Sequence, residues 1–312
     1  MKIPISYYYL LGVFSLCFTF ILMYVFRRRL GRFILDNPGG LKRHNGSIPL
    51  VGGCGIISGL TISIIVFLLL NHISFIEINT FLSLLLGGCV VFVMGLLDDL
   101  KKPKGLSVSS KLFIQISSAI ILYNGLSINC FQSTHWNFIF TILWIVGLIN
   151  AFNLLDILDG LCSTQAIIAF ISIFIIAHYS EIMIINCITI AMVGACLGFI
   201  PYNFSVSHKC FLGDSGSNLI GYLISALCLS LKNDDLSFKT ILISLLIVAV
   251  PLIDIAFVII SRLLHGKNPL KGSRDHLSLK LKDAGWPLYR ILGVFFICSF
   301  ICNSIALLIF FY

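Results

Sequence analysis

Four polar side chains recur at intervals of three residues in the stretch Asn150-Ala151-Phe152-Asn153-Leu154-Leu155-Asp156-Ile157-Leu158-Asp159-Gly160-Leu161. On a helix, neighbours in the series Asn150, Asn153, Asp156, Asp159 lie on adjoining faces of consecutive turns. The stripe drifts around the axis, so all four need not meet one ligand. An amide oxygen and a carboxylate three residues apart can both bind a hard cation, which prefers oxygen. The competing explanation is hydrogen bonding between helices by Asn together with helix capping. Four such residues in one register make that the weaker reading.

Three other clusters share this chemistry. Asp98-Asp99 closes an apolar run, and adjacent carboxylates repel unless a cation or proton intervenes; Lys101, Lys102 and Lys104 offer a purely structural balance. Gly213-Asp214-Ser215-Gly216-Ser217 opens another run. Small residues and hydroxyls at a helix N-terminus suit phosphate, because free N–H groups and the helix dipole point there; Asp214 as a simple N-cap is the alternative. The run Ser273-Arg274-Asp275-His276 joins a guanidinium, a carboxylate and an imidazole within a basic loop. Carboxylates with phosphate-binding groups are what Mg²⁺ uses, since it binds through one or two carboxylates plus substrate phosphates.

The elements that must position these groups are membrane helices. Of 312 residues, 58% are hydrophobic and 11% charged, with a mean hydropathy of +1.04. A soluble domain carries about 25% charged residues. The balance excludes a soluble globule, a disordered chain and a secreted disulfide scaffold. The net charge of +8 suits cytoplasmic loops rather than nucleic acid. The eleven Cys lie mostly inside apolar runs without metal-ligand spacing, and read as reduced, buried residues. The first apolar run ends in Arg27-Arg28-Arg29 with no small-residue cleavage site, so it reads as a span rather than a cleaved leader.

One span takes roughly 20 residues. Apolar segments run over 5–26, 48–70, 80–97, 110–126, 137–153, 163–178, 183–200, 214–231, 239–261 and 289–311. They predict an all-α, polytopic membrane protein of about ten transmembrane helices, forming a single domain over 1–312. Of the 21 Lys and Arg, all but Lys2, Lys232 and Lys239 fall in or beside the loops 27–47, 98–109, 154–162, 201–213 and 262–288. Basic loops stay in the cytoplasm, so both termini are expected outside. Glu77, Glu181, Asp234 and Asp235 then lie outside as ordinary charge. Asp36, Asp98, Asp99, Asp156, Asp159, Asp214, Asp275 and Asp283 lie on the cytoplasmic side, where the orientation rule asks for bases, not acids. All four clusters converge there, on a metal-dependent site for a phosphate-bearing, water-soluble substrate whose partner comes from the lipid. Asp254 stands alone within 239–261, about 12 Å from Arg262 along a helix. A lone intramembrane acid favours a transporter as the competing class.

At these residues the sequence resembles the polyprenyl-phosphate N-acetylhexosamine-1-phosphate transferases, which include the phospho-MurNAc-pentapeptide and undecaprenyl-phosphate GlcNAc-1-phosphate transferases. The opening motif runs from Asp36-Asn37-Pro38 through Lys42-Arg43-His44 to Gly52-Gly53, and favours the GlcNAc-1-phosphate branch. Asp98-Asp99 with Lys111, the run 150–161, the Gly-Asp-x-Gly-Ser motif at 213–217 and Arg274-Asp275-His276 follow in family order. Ile157 stands where the family usually has Gly, and Ser278-Leu279 where further His are common. Those departures support a second alternative, a non-catalytic relative that binds lipid phosphate.

The resemblance implies transfer of an N-acetylhexosamine 1-phosphate, GlcNAc-1-phosphate first, from the UDP-sugar to undecaprenyl phosphate. The products are a lipid-linked sugar diphosphate and UMP. Such a step opens the synthesis of a cell-surface polysaccharide, such as O-antigen of lipopolysaccharide or a wall polymer, at the bacterial inner (cytoplasmic) membrane. The resemblance further implies Mg²⁺, with Mn²⁺ as a substitute, on Asn153 and Asp214. Asp98, Asp99, Asp156, Asp159 and His276 form the implied catalytic set; Lys111, Asn150, Arg274 and His44 bind substrate. Either Asp98 or Asp99 serves as base or positions the lipid phosphate. Direct attack and double displacement through an Asp nucleophile are both compatible with it, as is a homodimer.

Overall fold

The computed structural model describes residues 4–38, 46–71, 75–126, 131, 133–231, 238–266 and 275–312. The helices are α1 (Ile5–Arg29), α2 (Gly52–Leu70), α3 (Phe75–Leu100), α4 (Val108–Gly125), α5 (Thr134–Leu155), α6 (Leu161–Tyr179), α7 (Met183–Phe204), α8 (Gly213–Ser230), α9 (Phe238–Ile247), α10 (Ala249–Leu264), α11 (Leu277–Asp283) and α12 (Leu288–Phe311). A two-residue strand β1 (Leu35–Asp36) pairs antiparallel with β2 (Ile48–Pro49), Leu35 opposite Pro49.

Helix α8 is the centre of the bundle. Every residue in it except Asp214 is buried, and it packs against α2, α3, α5 and α6. Close approach rests on glycine. A Cβ at Gly53 would stand 2.5 Å from Gly216 N, and one at Gly95 2.5 Å from Ser215 Cα. Backbone bonds then align the starts of α2 and α8: Phe211 N–H donates to Pro49 O (2.8 Å), Gly52 N–H to Phe211 O (3.0 Å) and Gly53 N–H to Leu212 O (2.9 Å).

Each apolar segment expected from the sequence carries a helix, but the helices differ in kind. Among the described residues, seven are long and apolar enough to cross a membrane: α1, α2, α3, α5, α6, α7 and α12, or eight with α9 and α10 taken as one broken span. Helices α4 and α8 fall outside this group. Protein surrounds α8, so it has no need of an apolar, lipid-facing surface. The chain is thus a multi-pass membrane protein. Its two ends share one end of the bundle: Tyr8 rests edge-on against Phe174, and Tyr179 against Phe311 (4.8 Å between centroids). At the opposite end Arg27 donates to Ser207 O (2.9 Å), near the Lys209–Asp159 pair.

Two expectations are corrected. The segment 239–261 is not one helix: α9 and α10 meet at 75°. Pro251 lies in the first turn of α10 and lacks the N–H that would have bonded Ile247 O. That carbonyl instead accepts from Asn303 Nδ2 of α12 (3.2 Å), as the apolar surroundings require. The basic loop 262–288 also contains structure, since α11 forms within it.

Candidate active site

The last turn of α3, the loop after it and the starts of α4 and α8 meet in a ring of carboxylates and ammoniums. Asp99 takes four donors on its two oxygens: Asp214 N–H (3.0 Å), Ser215 N–H (3.0 Å), Ser215 Oγ (2.9 Å) and Lys102 Nζ (2.8 Å). It caps α8 from a neighbouring helix. Those N–H groups, which the sequence offered to phosphate, are already occupied by this carboxylate. The fit needs Gly213 at φ +78°, where a Cβ would stand 2.6 Å from Asp99 Oδ2.

Asp98 accepts Leu106 N–H (2.6 Å) and Lys111 Nζ (2.8 Å). Asp214 closes the ring, pairing with Lys102 (3.1 Å) and Lys111 (3.0 Å). The carboxylates of Asp98 and Asp214 also lie within hydrogen-bonding reach of each other. Exposure separates the three acids: the side chain of Asp214 is 18% exposed, that of Asp98 4% and that of Asp99 0%. Asp214 forms the open edge. Burial alone would lower the pKa of Lys102, but the charges of Asp214 and Asp99 reverse this and hold its ammonium above the usual lysine range.

The run 150–161 comes alongside from α5. Asn153 Nδ2 donates to Ser217 Oγ in the first turn of α8 (3.0 Å), which leaves its amide oxygen as the end for a ligand. Asp156 ends α5. Burial, then the negative charges of Asp214 and Asp99, push its carboxyl well above the usual range. Four carboxyl groups, on Asp98, Asp99, Asp156 and Asp214, thus gather near the two ammoniums of Lys102 and Lys111. This donor set of carboxylates and an amide oxygen suits a hard divalent cation. Among the described residues, no three His, Cys, Asp or Glu side chains form a closed metal cage.

Other expected residues lie further out. Asn150 Nδ2 donates to Gln115 Oε1 (2.9 Å) and Val146 O (2.7 Å), tying α4 to α5. Asp159 pairs with Lys209 (2.6 Å), whose ammonium lies over the Phe211 ring (5.6 Å). Beside it, Gly160 takes φ +76° and donates its N–H to Asn203 Oδ1 (2.6 Å). His276 is buried and bonds Asp254 rather than the ring (3.0 Å). His44 and Arg274 lie outside the described residues. Ile157 is 37% exposed, whereas Leu279 is buried.

Sequence reasoning missed Lys209 and Asn203 as parts of this region, and read Lys102 only as a structural balance for Asp98 and Asp99. Lys102 carried a signal, its i+3 spacing from Asp99. The bond between Gly160 and Asn203 spans 43 residues and left no local trace.

The polytopic bundle thus gathers carboxylates at its helix ends around two lysines, a set of groups chemically suited to phosphate with a hard cation. The signature of glycosyl transferase family 4 matches residues 81–232, which include Asp98, Asp99, Lys111, Asn153, Asp156, Asp159 and Asp214. The chain is 29% identical over 286 residues to the "Probable undecaprenyl-phosphate N-acetylglucosaminyl 1-phosphate transferase" of Bacillus subtilis, covering 88% of this chain and 77% of that protein. It is 29% identical over 289 residues to the undecaprenyl-phosphate alpha-N-acetylglucosaminyl 1-phosphate transferase of Yersinia pestis, covering 88% and 75%. Against the phospho-N-acetylmuramoyl-pentapeptide-transferase of Listeria monocytogenes it is 28% identical over 316 residues, covering 93% and 94%. The family match over 81–232 and the likeness to these transferases along most of the chain point the same way.

Proposed function

We propose that this protein transfers an N-acetylhexosamine 1-phosphate, GlcNAc-1-phosphate first, from the UDP-sugar to undecaprenyl phosphate, releasing UMP. The observation that carries this reading is the open edge formed by Asp214 with the partly exposed ammoniums of Lys102 and Lys111, while Asp98 and Asp99 are buried behind it. The names of the relatives support the lipid acceptor and the sugar 1-phosphate group; the UDP carrier is part of this proposal. We place the ring on the cytoplasmic face of the inner membrane, because the basic loops lie at its end of the bundle.

Phosphoryl transfer asks mainly for positioning and charge neutralisation. Each ammonium has three N–H donors. Lys102 and Lys111 each spend two on carboxylates, which leaves one apiece for a phosphate oxygen of the donor. Asp99 is saturated and serves as the fixed cap of α8. Asp98 is therefore the acid that positions the lipid phosphate or takes its proton. Asp214 and the Asn153 amide oxygen would hold Mg²⁺, for which Mn²⁺ could substitute. Held there, the ion would supply Lewis-acid polarisation of the pyrophosphate and charge neutralisation for the leaving UMP. Asp156 and Asp159 line the side from which the nucleotide approaches, and His276, Arg274 and His44 are assigned to phosphates.

Asp254 favoured a transporter only while it stood alone; its pairing with His276 gives it a local partner. The test is purified protein with undecaprenyl phosphate, Mg²⁺ and a panel of UDP-N-acetylhexosamines, read as UMP release. Metal-dependent release with one donor is expected. Folded protein that binds the lipid yet releases no UMP with any donor would show it to be a non-catalytic relative.

A further inference from the structure

Helix α10 carries one acid, Asp254, and it is buried. A charged carboxylate away from water is costly unless paired and hydrogen-bonded. Both of its oxygens are used, and both on the same short segment. Oδ2 faces His276 Nδ1 at 3.0 Å, and Oδ1 accepts Leu277 N–H at 3.1 Å. His276 is the residue before α11 and Leu277 its first residue. One carboxylate therefore grips the ring and the backbone at the entry to α11. Ser278 and Leu279 are buried behind it, which closes the segment to sliding.

This grip has a chemical consequence. An ionised carboxylate only accepts, so the hydrogen lies on His276 Nδ1. The second nitrogen, Nε2, is then the one with a free lone pair. A buried acid that fixes the tautomer and rotation of an imidazole is a recurring device where histidine handles protons or phosphates.

We propose that Asp254 is the positioning residue for His276, setting its Nδ1–H tautomer so that Nε2 is left as the proton acceptor toward a protonated oxygen of a substrate phosphate. The inference rests on the function proposed above only in assigning Nε2 to the substrate; the tautomer itself does not depend on it. Asp254→Asn separates the two roles a carboxylate could play here. Asparagine keeps the shape and can still cap Leu277 N–H through its carbonyl, but its NH₂ then faces Nδ1 and forces the hydrogen onto Nε2. Turnover is expected to fall about 10- to 100-fold in kcat, with donor KM within about twofold of the parent enzyme and an unchanged thermal melt. His276→Gln combined with Asp254→Asn should be no slower than His276→Gln alone, because the two residues act as a unit.

The tautomer is read directly by ¹⁵N NMR of histidine-labelled protein. Of seven His, the signal missing in His276→Gln identifies the one of interest. Protonated Nδ1 in the parent protein supports the proposal; protonated Nε2 overturns it, whether or not UMP is released. Normal kcat in a folded Asp254→Asn variant also overturns it and leaves the proposed reaction standing. Absence of UMP release from the parent protein counts against that reaction alone, and the NMR result then decides the inference.

Discussion

Asp99 receives four donors on two oxygens, and Asp214 receives two lysines at an open edge. The same functional group therefore has different consequences when removed. Asp99→Ala strips the cap from α8 and leaves the partly buried ammonium of Lys102 without its nearer partner. Removing one member of a buried pair costs about 3–5 kcal/mol, so the variant should melt at a clearly lower temperature and lose activity with it. Asp214→Ala removes no backbone cap. It should keep the parent's melting behaviour while UMP release falls at least about a thousandfold, the scale on which phosphoryl-transfer charge stabilisation acts. Thermal melts in detergent beside the UMP assay separate the two; equal losses of stability would contradict the division of roles.

Helix α3 meets α8 at Gly95, where a side chain would stand 2.5 Å from Ser215 Cα and closer still to the Asp214 carbonyl oxygen. Gly95→Val removes no polar group, yet it should separate the two helices and pull Asp99 from the N–H groups it caps. Overpacking of this kind costs about 1–3 kcal/mol, and UMP release should fall with it; a Gly95→Val protein with full activity would show that the ring tolerates movement of α3. This element also shows how far the sequence could be read. Carboxylates at helix ends and their convergence were legible, because charge against an apolar background stands out. The division between Asp98, Asp99 and Asp214 was not, since it depends on which N–H groups a neighbouring helix presents. Likewise, the break at Pro251 within 239–261 was not legible, since Asn303 of the distant α12 donates to the freed Ile247 carbonyl.

Across the whole molecule, the ends of the chain and the carboxylate ring lie at opposite ends of the bundle. If the basic loops face the cytoplasm, a thiol at the fully exposed Val206 should react with a membrane-impermeant reagent only after the cells are opened. One at Tyr312, 97% exposed, should react in intact spheroplasts. The reverse pattern would invert the orientation, and labelling of both from outside would break the assignment of opposite ends. The native Cys17, Cys89 and Cys298, exposed on helix faces, need replacing first.

Helix α8 holds Asp214 and is buried along nearly its whole length, and it is not apolar enough to qualify as a crossing helix by itself. Its place in the membrane is thus inherited from its neighbours rather than chosen by its own residues. During synthesis the ribosome delivers α3 and α5, its main partners, before it. The order is suited to a late arrival slotting into a prepared groove. Inserted alone into a host protein, the segment 213–230 should fail to integrate, and it should integrate when the preceding helices accompany it. Efficient integration of the lone segment would remove this dependence. On this view assembly of the carboxylate ring is also a check on biogenesis: a chain whose α3 has gone astray has nowhere to put α8, and never completes the ring.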